Sequence, residues 1–186
     1  MPTKSQTLRR ANIQIPIQPP PLGGRSLPVM QIAQEQTQWC WAACAEMVIR
    51  YYGTAVRQCE EANFLRQRND CCAAPSSNAC NQPCQVDDVA RVYTNWGITC
   101  TPQLSQVPFA TLSSEIDASR PVEVAFYWTG GGGHVAIVRG HGQHEGKPVV
   151  QVNDPAYGTG VTFYESLRTA YGQGQWAVTW TNIRKV

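Results

Sequence analysis

The chain has 186 residues, with 15 lysines and arginines against 13 aspartates and glutamates, so its formal charge at neutral pH is +2. This length suits one well-filled domain and is too short for two ordinary domains with a tail. A charge so near neutral argues against a nucleic-acid binder that relies on bulk positive charge. No apolar run approaches the length that spans a bilayer, so we expect no membrane partner, and we expect a monomer.

Eight cysteines contrast with the absence of a standard secretory signal. The basic start of the chain leads into no hydrophobic segment, which a Sec-type signal peptide requires. So many cysteines indicate an oxidising destination or metal binding. We therefore expect a protein that is cytoplasmic before export, and then secreted or delivered into a target cell by a route without a Sec-type signal peptide.

The N-terminal stretch is rich in proline and contains no aspartate or glutamate before Glu35. Proline at this density favours extended, solvated backbone, so we predict a flexible basic arm over 1–28 and a single domain over 29–186. The arm contains Leu22-Gly23-Gly24. An exposed Gly-Gly pair gives a protease easy access to the bond after Gly24, and an unprocessed flexible hinge is the alternative.

A cysteine flanked by two tryptophans opens the first helical pattern. Apolar residues recur at helical spacing as far as Tyr52, and Gly53 follows as a stop signal, so an amphipathic helix is predicted over 40–52. Cys40 then lies at the helix N-terminus, where unpaired N–H groups and the helix dipole stabilise a thiolate. Cys40 is the candidate nucleophile, and Cys44 on the core face is predicted to be a buried, inert thiol.

Six further cysteines lie between residues 59 and 100, and four of them crowd a segment of turn-forming residues. Such a segment cannot bury a core of its own, so covalent bonds or a metal must order it. We predict two disulfides and no cofactor, with a four-thiolate zinc site as the alternative, because the paired Cys-x2-Cys hooks of common zinc sites are missing. The disulfide candidates are Cys59, Cys71, Cys72, Cys80, Cys84 and Cys100.

The remaining pattern changes from helical to strand-like along the chain. Further helices are predicted over 60–68, 86–96 and 108–118. Strands are predicted over 121–128, 134–140, 148–154, 161–164 and 175–183. Helices first and strands second indicate an α+β fold, with a helical N-terminal lobe packed on an antiparallel β-sheet lobe and an active-site cleft between them.

Three histidines are available as a general base. His141 and His144 lie in a predicted exposed hairpin loop and are interpreted as solvated surface. His134 follows four consecutive glycines and opens a strand, so a second backbone can approach closely while the imidazole is held firmly. His134 is therefore the predicted base, with a structural histidine at a strand edge as the alternative.

The strand register predicts the partner of His134. If the hairpin is centred on His144, His134 faces Asp154, and both side chains lie on one face of the sheet. A carboxylate beside the ring would fix its tautomer and stabilise the imidazolium. Asn153 points to the other face in this register, but a slip of one residue would exchange the two, so Asn153 is the alternative third member.

The sequences around Cys40, His134 and Asp154 resemble those of known proteases. The order Gln-x5-Cys-Trp-Ala from Gln34 resembles papain-like cysteine proteases. A second resemblance is to bacterial avirulence-type effector proteases and to the leader peptidases of bacteriocin exporters. It rests on two sequence motifs, Gly-His-Val-Ala-Ile-Val-Arg-Gly and Val-Asn-Asp-Pro. The resemblance covers roughly residues 27–183 and implies a papain-like fold with a triad of Cys40, His134 and Asp154.

The resemblance also implies further roles. Gln34 is expected to donate to the oxyanion hole, with Gln36 as a competitor, and exporter peptidases cut after Gly-Gly, which makes Gly24 a candidate site of self-processing. The implied function is a cysteine endopeptidase acting on a protein or peptide, as an exported bacterial effector or toxin in virulence. The same triad would also serve an amidase or acyltransferase, such as a deamidase or cell-wall peptide amidase, and a catalytically silent binding module is a third hypothesis.

Overall fold

The computed structural model describes residues 22–186, which form five α-helices, a short 3-10 helix and a seven-stranded antiparallel sheet. In chain order they are β1 (Leu22–Ser26), α1 (Cys40–Tyr51), α2 (Gln58–Arg66), α3 (Val86–Asn95), β2 (Ile98–Gln103), α4 (Phe109–Asp117), β3 (Val122–Trp128), β4 (Gly133–His144), β5 (Lys147–Asp154), β6 (Gly158–Phe163), α5 (Tyr164–Arg168), the 3-10 helix (Ala170–Gly172) and β7 (Gly174–Lys185). The strand order is β2-β7-β3-β4-β5-β6, with β1 paired to β4. The predicted α+β fold is confirmed.

Helices α1 to α4 and strands β3 to β7 form where the periodicity predicts them, with ends shifted by a few residues. Three elements carry little signal in the sequence. β2 buries only Ile98, β1 contains two glycines, and α5 has only five residues. No helix within residues 22–186 combines the length and the apolar character needed to cross a bilayer.

Helix α1 is more enclosed than an amphipathic helix, because every residue from Trp41 to Ile49 is buried. It packs against β4, α2 and α3, which makes it the central helix of the fold. Its one buried acid, Glu46, is paired with Arg50 at 2.6 Å and accepts a hydrogen bond from Gln58 Nε2 at 3.1 Å. The helix that begins at the candidate nucleophile is therefore held on several sides.

The predicted flexible arm is wrong in its last part. Residues 1–21 lie outside the described residues, but residues 22–26 form β1 on β4, and Leu27 behind them is buried. A Cβ atom on Gly24 would lie 1.9 Å from the backbone oxygen of His141, so only glycine fits where these two strands meet. The described part of the domain therefore begins at residue 22 rather than at residue 29.

The β4–β5 hairpin is tighter than predicted. Its turn consists of Glu145 and Gly146, both with positive φ, as a two-residue type I′ turn requires. His141 and His144 therefore belong to β4 and not to a loop. The interpretation of His141 as solvated surface is wrong, because its side chain is only 14% exposed and its Nε2 lies 2.8 Å from Asp117 Oδ1.

Two disulfides order the cysteine-rich segment. Cys59 in α2 is joined to Cys72, and the neighbouring Cys71 is joined to Cys80. Four of the six possible ligands for the alternative zinc site are thereby paired. The prediction was too broad for Cys84 and Cys100, which are free thiols.

Candidate active site

Cys40 is the first residue of α1, as the helix pattern predicts. The residue before it, Trp39, provides no side-chain cap, and the first turn contains no acidic side chain. The helix N-terminus therefore keeps its partial positive charge and its unpaired N–H groups beside a half-buried free thiol. Such a helix N-terminus can stabilise the negative charge that develops on the oxygen of a substrate attacked by this thiol.

His134 and Asp154 form a buried pair. His134 Nε2 lies 2.8 Å from Asp154 Oδ1, the ring is 9% exposed, and the carboxylate is fully buried. Backbone N–H groups of Ala156 and Tyr157 donate to the same oxygen at 2.9 and 3.2 Å. Burial alone would lower the pKa of His134, but Asp154, with a smaller contribution from Cys40, outweighs it and raises the pKa to about 10. The Asp154 carboxylate beside the ring therefore favours the imidazolium form of His134.

Two aromatic rings shield this pair. The Trp128 ring stacks on His134, with centroids 5.9 Å apart and planes 23° apart. Tyr157 meets the same imidazole edge-on at 6.1 Å. Excluding water in this way strengthens the hydrogen bond between His134 and Asp154. Sequence reasoning missed both rings, although Trp128 ends the strand before the glycine run and so carried a usable signal.

The predicted direct pairing of His134 with Asp154 is wrong by two residues. The ladder pairs Ile137 with Asn153, and the same register continued would put Ala136 opposite Asp154. His134 is therefore diagonal to the carboxylate and not opposite it. Because side chains alternate with a period of two, a slip of two residues leaves both groups on one face.

A β-bulge at Arg139 decides which neighbour shares that face. The pairing set at the hairpin turn shifts by one residue between positions 138 and 140 of β4. Near the turn, His144 pairs with Lys147 and Gly140 pairs with Gln151. If this register continued past Arg139 without a bulge, Asn153 would lie on the same face of the sheet as His134, and Asp154 would lie on the opposite face. The bulge therefore places the Asp154 carboxylate on the same face of the sheet as the His134 imidazole.

Asn153, the alternative third member, is engaged elsewhere. Its fully buried side chain accepts from Arg139 Nε at 2.9 Å and from the Thr159 hydroxyl, and it donates to the Val29 carbonyl at 2.9 Å. The bond to Val29 ties the segment that follows β1 to β5. The structure brings Asp154, and not Asn153, to the ring of His134.

Gln34 lies beside the end of β5, because its backbone N–H donates to the Pro155 carbonyl at 3.0 Å. Its side-chain Nε2 donates to the carbonyls of Gln36 at 2.8 Å and Thr37 at 3.2 Å. The amide thus shapes the turn before Cys40, and one of its hydrogens must leave this turn to reach an oxyanion.

The other free thiols lie in environments that suppress ionisation. Cys44 is fully buried, as predicted, and burial raises its pKa well above the ordinary value. Burial also raises the pKa of Cys84, and it raises that of Cys100 to about 12. Among the free cysteines, Cys40 alone lies at a helix N-terminus and interacts with an imidazole.

Solved structures of bacterial peptidases share this fold. A putative C39-like peptidase from Bacillus anthracis has a TM-score of 0.61 at 14% identity, covering 88% of this chain and 99% of that chain. The peptidase domain of Streptococcus ComA, a bifunctional ABC transporter in a quorum-sensing pathway, has a TM-score of 0.59 at 14% identity, covering 85% and 99%. A double glycine motif protease from an AMS/PCAT transporter, solved with its leader peptide, has a TM-score of 0.52 at 20% identity, covering 91% and 100%.

No curated protein sequence matches this chain significantly. A family model described as papain-like cysteine protease AvrRpt2 matches residues 22–168, a stretch that contains Cys40, His134 and Asp154. The resemblance expected from the sequence is thereby confirmed, as are the papain-like fold and the class of enzyme. The chain belongs to the AvrRpt2 family of papain-like cysteine proteases.

Proposed function

We propose that the protein is an endopeptidase that uses Cys40, His134 and Asp154 as its catalytic triad. The observation that carries the proposal is the buried 2.8 Å contact of His134 Nε2 with Asp154 Oδ1, together with the interaction of the same imidazole with Cys40 at the start of α1. A nucleophile, a base and a group that orients the base are the parts that acyl transfer needs. The aromatic shield around His134 supports the same reading.

In the first step the Cys40 thiolate attacks the peptide carbonyl carbon, and the electron pair moves to the carbonyl oxygen. The Cys40 N–H and Gln34 stabilise this oxyanion. The His134 imidazolium then donates its proton to the leaving amine nitrogen as the C–N bond breaks. Neutral His134 next takes a proton from water, whose hydroxide attacks the thioester, and release of the acid restores the thiolate and imidazolium.

The substrate class is a protein or peptide bound in extended form. Membership of a protease family supports a peptide substrate, and one structural neighbour was solved as a complex with a leader peptide. We further infer that the protein acts as an exported effector. The two disulfides support this inference, because such bonds persist in oxidising compartments. Immunodetection in the medium or in recipient cells tests export, and retention in the producing cells alone argues against it.

The test of the activity is a library of internally quenched peptides incubated with the full chain. Wild-type protein should cleave a subset of the library, and both Cys40→Ala and His134→Ala should abolish cleavage while keeping the circular dichroism spectrum. Cys100→Ala is the matched control, since it removes a half-buried free thiol in β2 and should leave cleavage unchanged. Hydrolysis by either triad variant would move the nucleophile or base elsewhere.

A further inference from the structure

The disulfide-bonded segment contacts the turn that precedes the nucleophile. We call residues 34–39 the oxyanion loop and residues 70–82 the disulfide loop. Asn81 Oδ1 accepts a hydrogen bond from the Gln38 N–H at 3.0 Å, and Asn81 Nδ2 donates to Thr37 Oγ1 at 2.9 Å. One side chain therefore holds both the backbone and a side chain of the oxyanion loop.

The two tryptophans that flank the nucleophile are anchored by the same loop. Trp39 Nε1 donates to the Cys80 carbonyl at 2.9 Å, and Trp41 Nε1 donates to the Gln82 carbonyl at 3.1 Å. Cys80 is itself fixed by its disulfide to Cys71. Three consecutive residues of the disulfide loop thus hold the chain on both sides of the active-site thiol.

We propose that Asn81 is a positioning residue of the active site, which holds the oxyanion loop in the geometry that stabilises the transition state. The Thr37 carbonyl accepts from the Gln34 amide, so a displacement of Thr37 displaces Gln34. The same turn leads directly into the Cys40 N–H. Small displacements of oxyanion donors cost much of their effect, because these donors must meet a charge that develops at one point. The inference rests on the proposed peptidase function.

A merely structural role makes a different prediction. Asn81 is half-buried and lies outside the hydrophobic core, so truncation of its side chain opens no core cavity. A structural role would therefore lower stability slightly and leave turnover unchanged. A positioning role changes turnover without weakening substrate binding, since substrate in the ground state carries no oxyanion.

The experiment compares three variants of the full chain with wild type, using a peptide that wild type cleaves. Asn81→Ala should lower kcat roughly 10- to 100-fold with KM nearly unchanged. Asn81→Asp should restore kcat to within about threefold, because its carboxylate accepts from both the Gln38 N–H and the Thr37 hydroxyl. Arg68→Ala is the control: it removes an exposed ion pair with Asp70 in the same loop and should leave kcat within about twofold of wild type.

Two readouts do not depend on turnover. Hydrogen exchange at the Gln38 amide should accelerate at least about tenfold in Asn81→Ala, because the amide loses its acceptor. Alkylation of Cys40 by iodoacetamide should stay within about twofold of wild type, because this reaction forms no oxyanion.

Normal kcat in Asn81→Ala, or unchanged exchange at Gln38, overturns the proposal. Parallel losses of kcat and of Cys40 alkylation also overturn it, since they indicate damage to the nucleophile itself. If wild type cleaves no peptide, the proposed function fails on its own, and exchange at Gln38 still decides whether Asn81 holds the loop.

Discussion

His134 and Asp154 form a 2.8 Å hydrogen bond although they are diagonal rather than opposite on β4 and β5. The bulge at Arg139 makes this contact possible, because it changes which neighbour of β5 shares a face with His134. The two neighbours consequently have separate tasks. Asp154 contacts the imidazole, whereas Asn153 ties β5 to Val29 in the segment that follows β1.

Asp154→Ala should therefore lower kcat on the order of 10²- to 10⁴-fold, because it leaves His134 without an orienting carboxylate. Asn153→Ala should lower kcat far less, because Asp154 still orients the ring. Asn153→Ala should instead lower the melting temperature, because three hydrogen bonds of a buried amide are lost. Steady-state kinetics and thermal unfolding on both variants measure the two effects. A reversed ranking of kcat would mean that Asn153 orients the ring.

Limiting iodoacetamide should alkylate Cys40 before the other free thiols. Cys40 interacts with His134 at a helix N-terminus, whereas burial raises the pKa of Cys44, Cys84 and Cys100. Peptide mass mapping at several reaction times gives the order of modification. Labelling of Cys84 ahead of Cys40 would remove the case for Cys40 as the nucleophile.

Gln34→Ala should reduce kcat on the order of 10²- to 10³-fold, as expected for the loss of one oxyanion donor. Gln36→Ala is the matched control, because the bond that Gln36 makes to the Gln34 amide comes from its backbone carbonyl and survives the substitution. Kinetics on the two variants with one peptide decide between them. A severe defect in Gln36→Ala together with a mild one in Gln34→Ala would transfer the role to Gln36.

Glu123 should make the protein less stable as the pH rises. Burial raises the pKa of this carboxyl to about 8, although the hydroxyl of Tyr93 donates to it and opposes the shift. Between the ordinary pKa of a glutamate and pH 8, the unfolded state loses the proton first, so the free energy of unfolding falls with pH. Glu123→Gln should therefore be more stable than wild type at pH 8, by on the order of a few kcal/mol, and gain little at pH 4.

Urea unfolding of wild type and Glu123→Gln at pH 4, 6 and 8 measures this difference. Glu60→Gln is the control, because Glu60 is partly exposed and its hydrogen bond with Arg57 lowers its pKa, which gives the opposite sign. A difference between wild type and Glu123→Gln that does not grow with pH would show that Glu123 is already ionised in the folded protein.

Self-processing after Gly24 should be slow, because the bond lies in β1 and β1 is paired with β4. Wild type and Cys40→Ala are incubated in separate samples, each with a cleavable peptide, and their N-termini are sequenced. A new terminus at Arg25 in wild type alone supports self-processing. If wild type cuts the peptide but stays full length, as Cys40→Ala does, the enzyme does not process itself at this bond. Gly24 is then required only for the close packing of β1 against His141.

Local patterns predicted the parts of the site that depend on local structure. The start of α1 at Cys40 follows from helical periodicity, and His134 follows from the glycine run that precedes a strand. The bulge at Arg139 has no local signal, because it is stabilised by tertiary bonds to Asn153 and Ser26. For the same reason the prediction of an arm failed at Gly24, whose glycine is required by a strand that lies more than a hundred residues further along the chain.

The two disulfides give reducing agents two opposite effects on this enzyme. Reduction keeps Cys40 able to attack, whereas it also opens the bonds Cys59–Cys72 and Cys71–Cys80 that brace the chain beside it. Strong oxidants oxidise the Cys40 thiol and prevent its attack, and strong reductants break the two disulfides. We therefore expect activity to pass through a maximum as the concentration of thiol reductant increases. The redox buffer of an assay consequently determines the fraction of the enzyme that is measured as active.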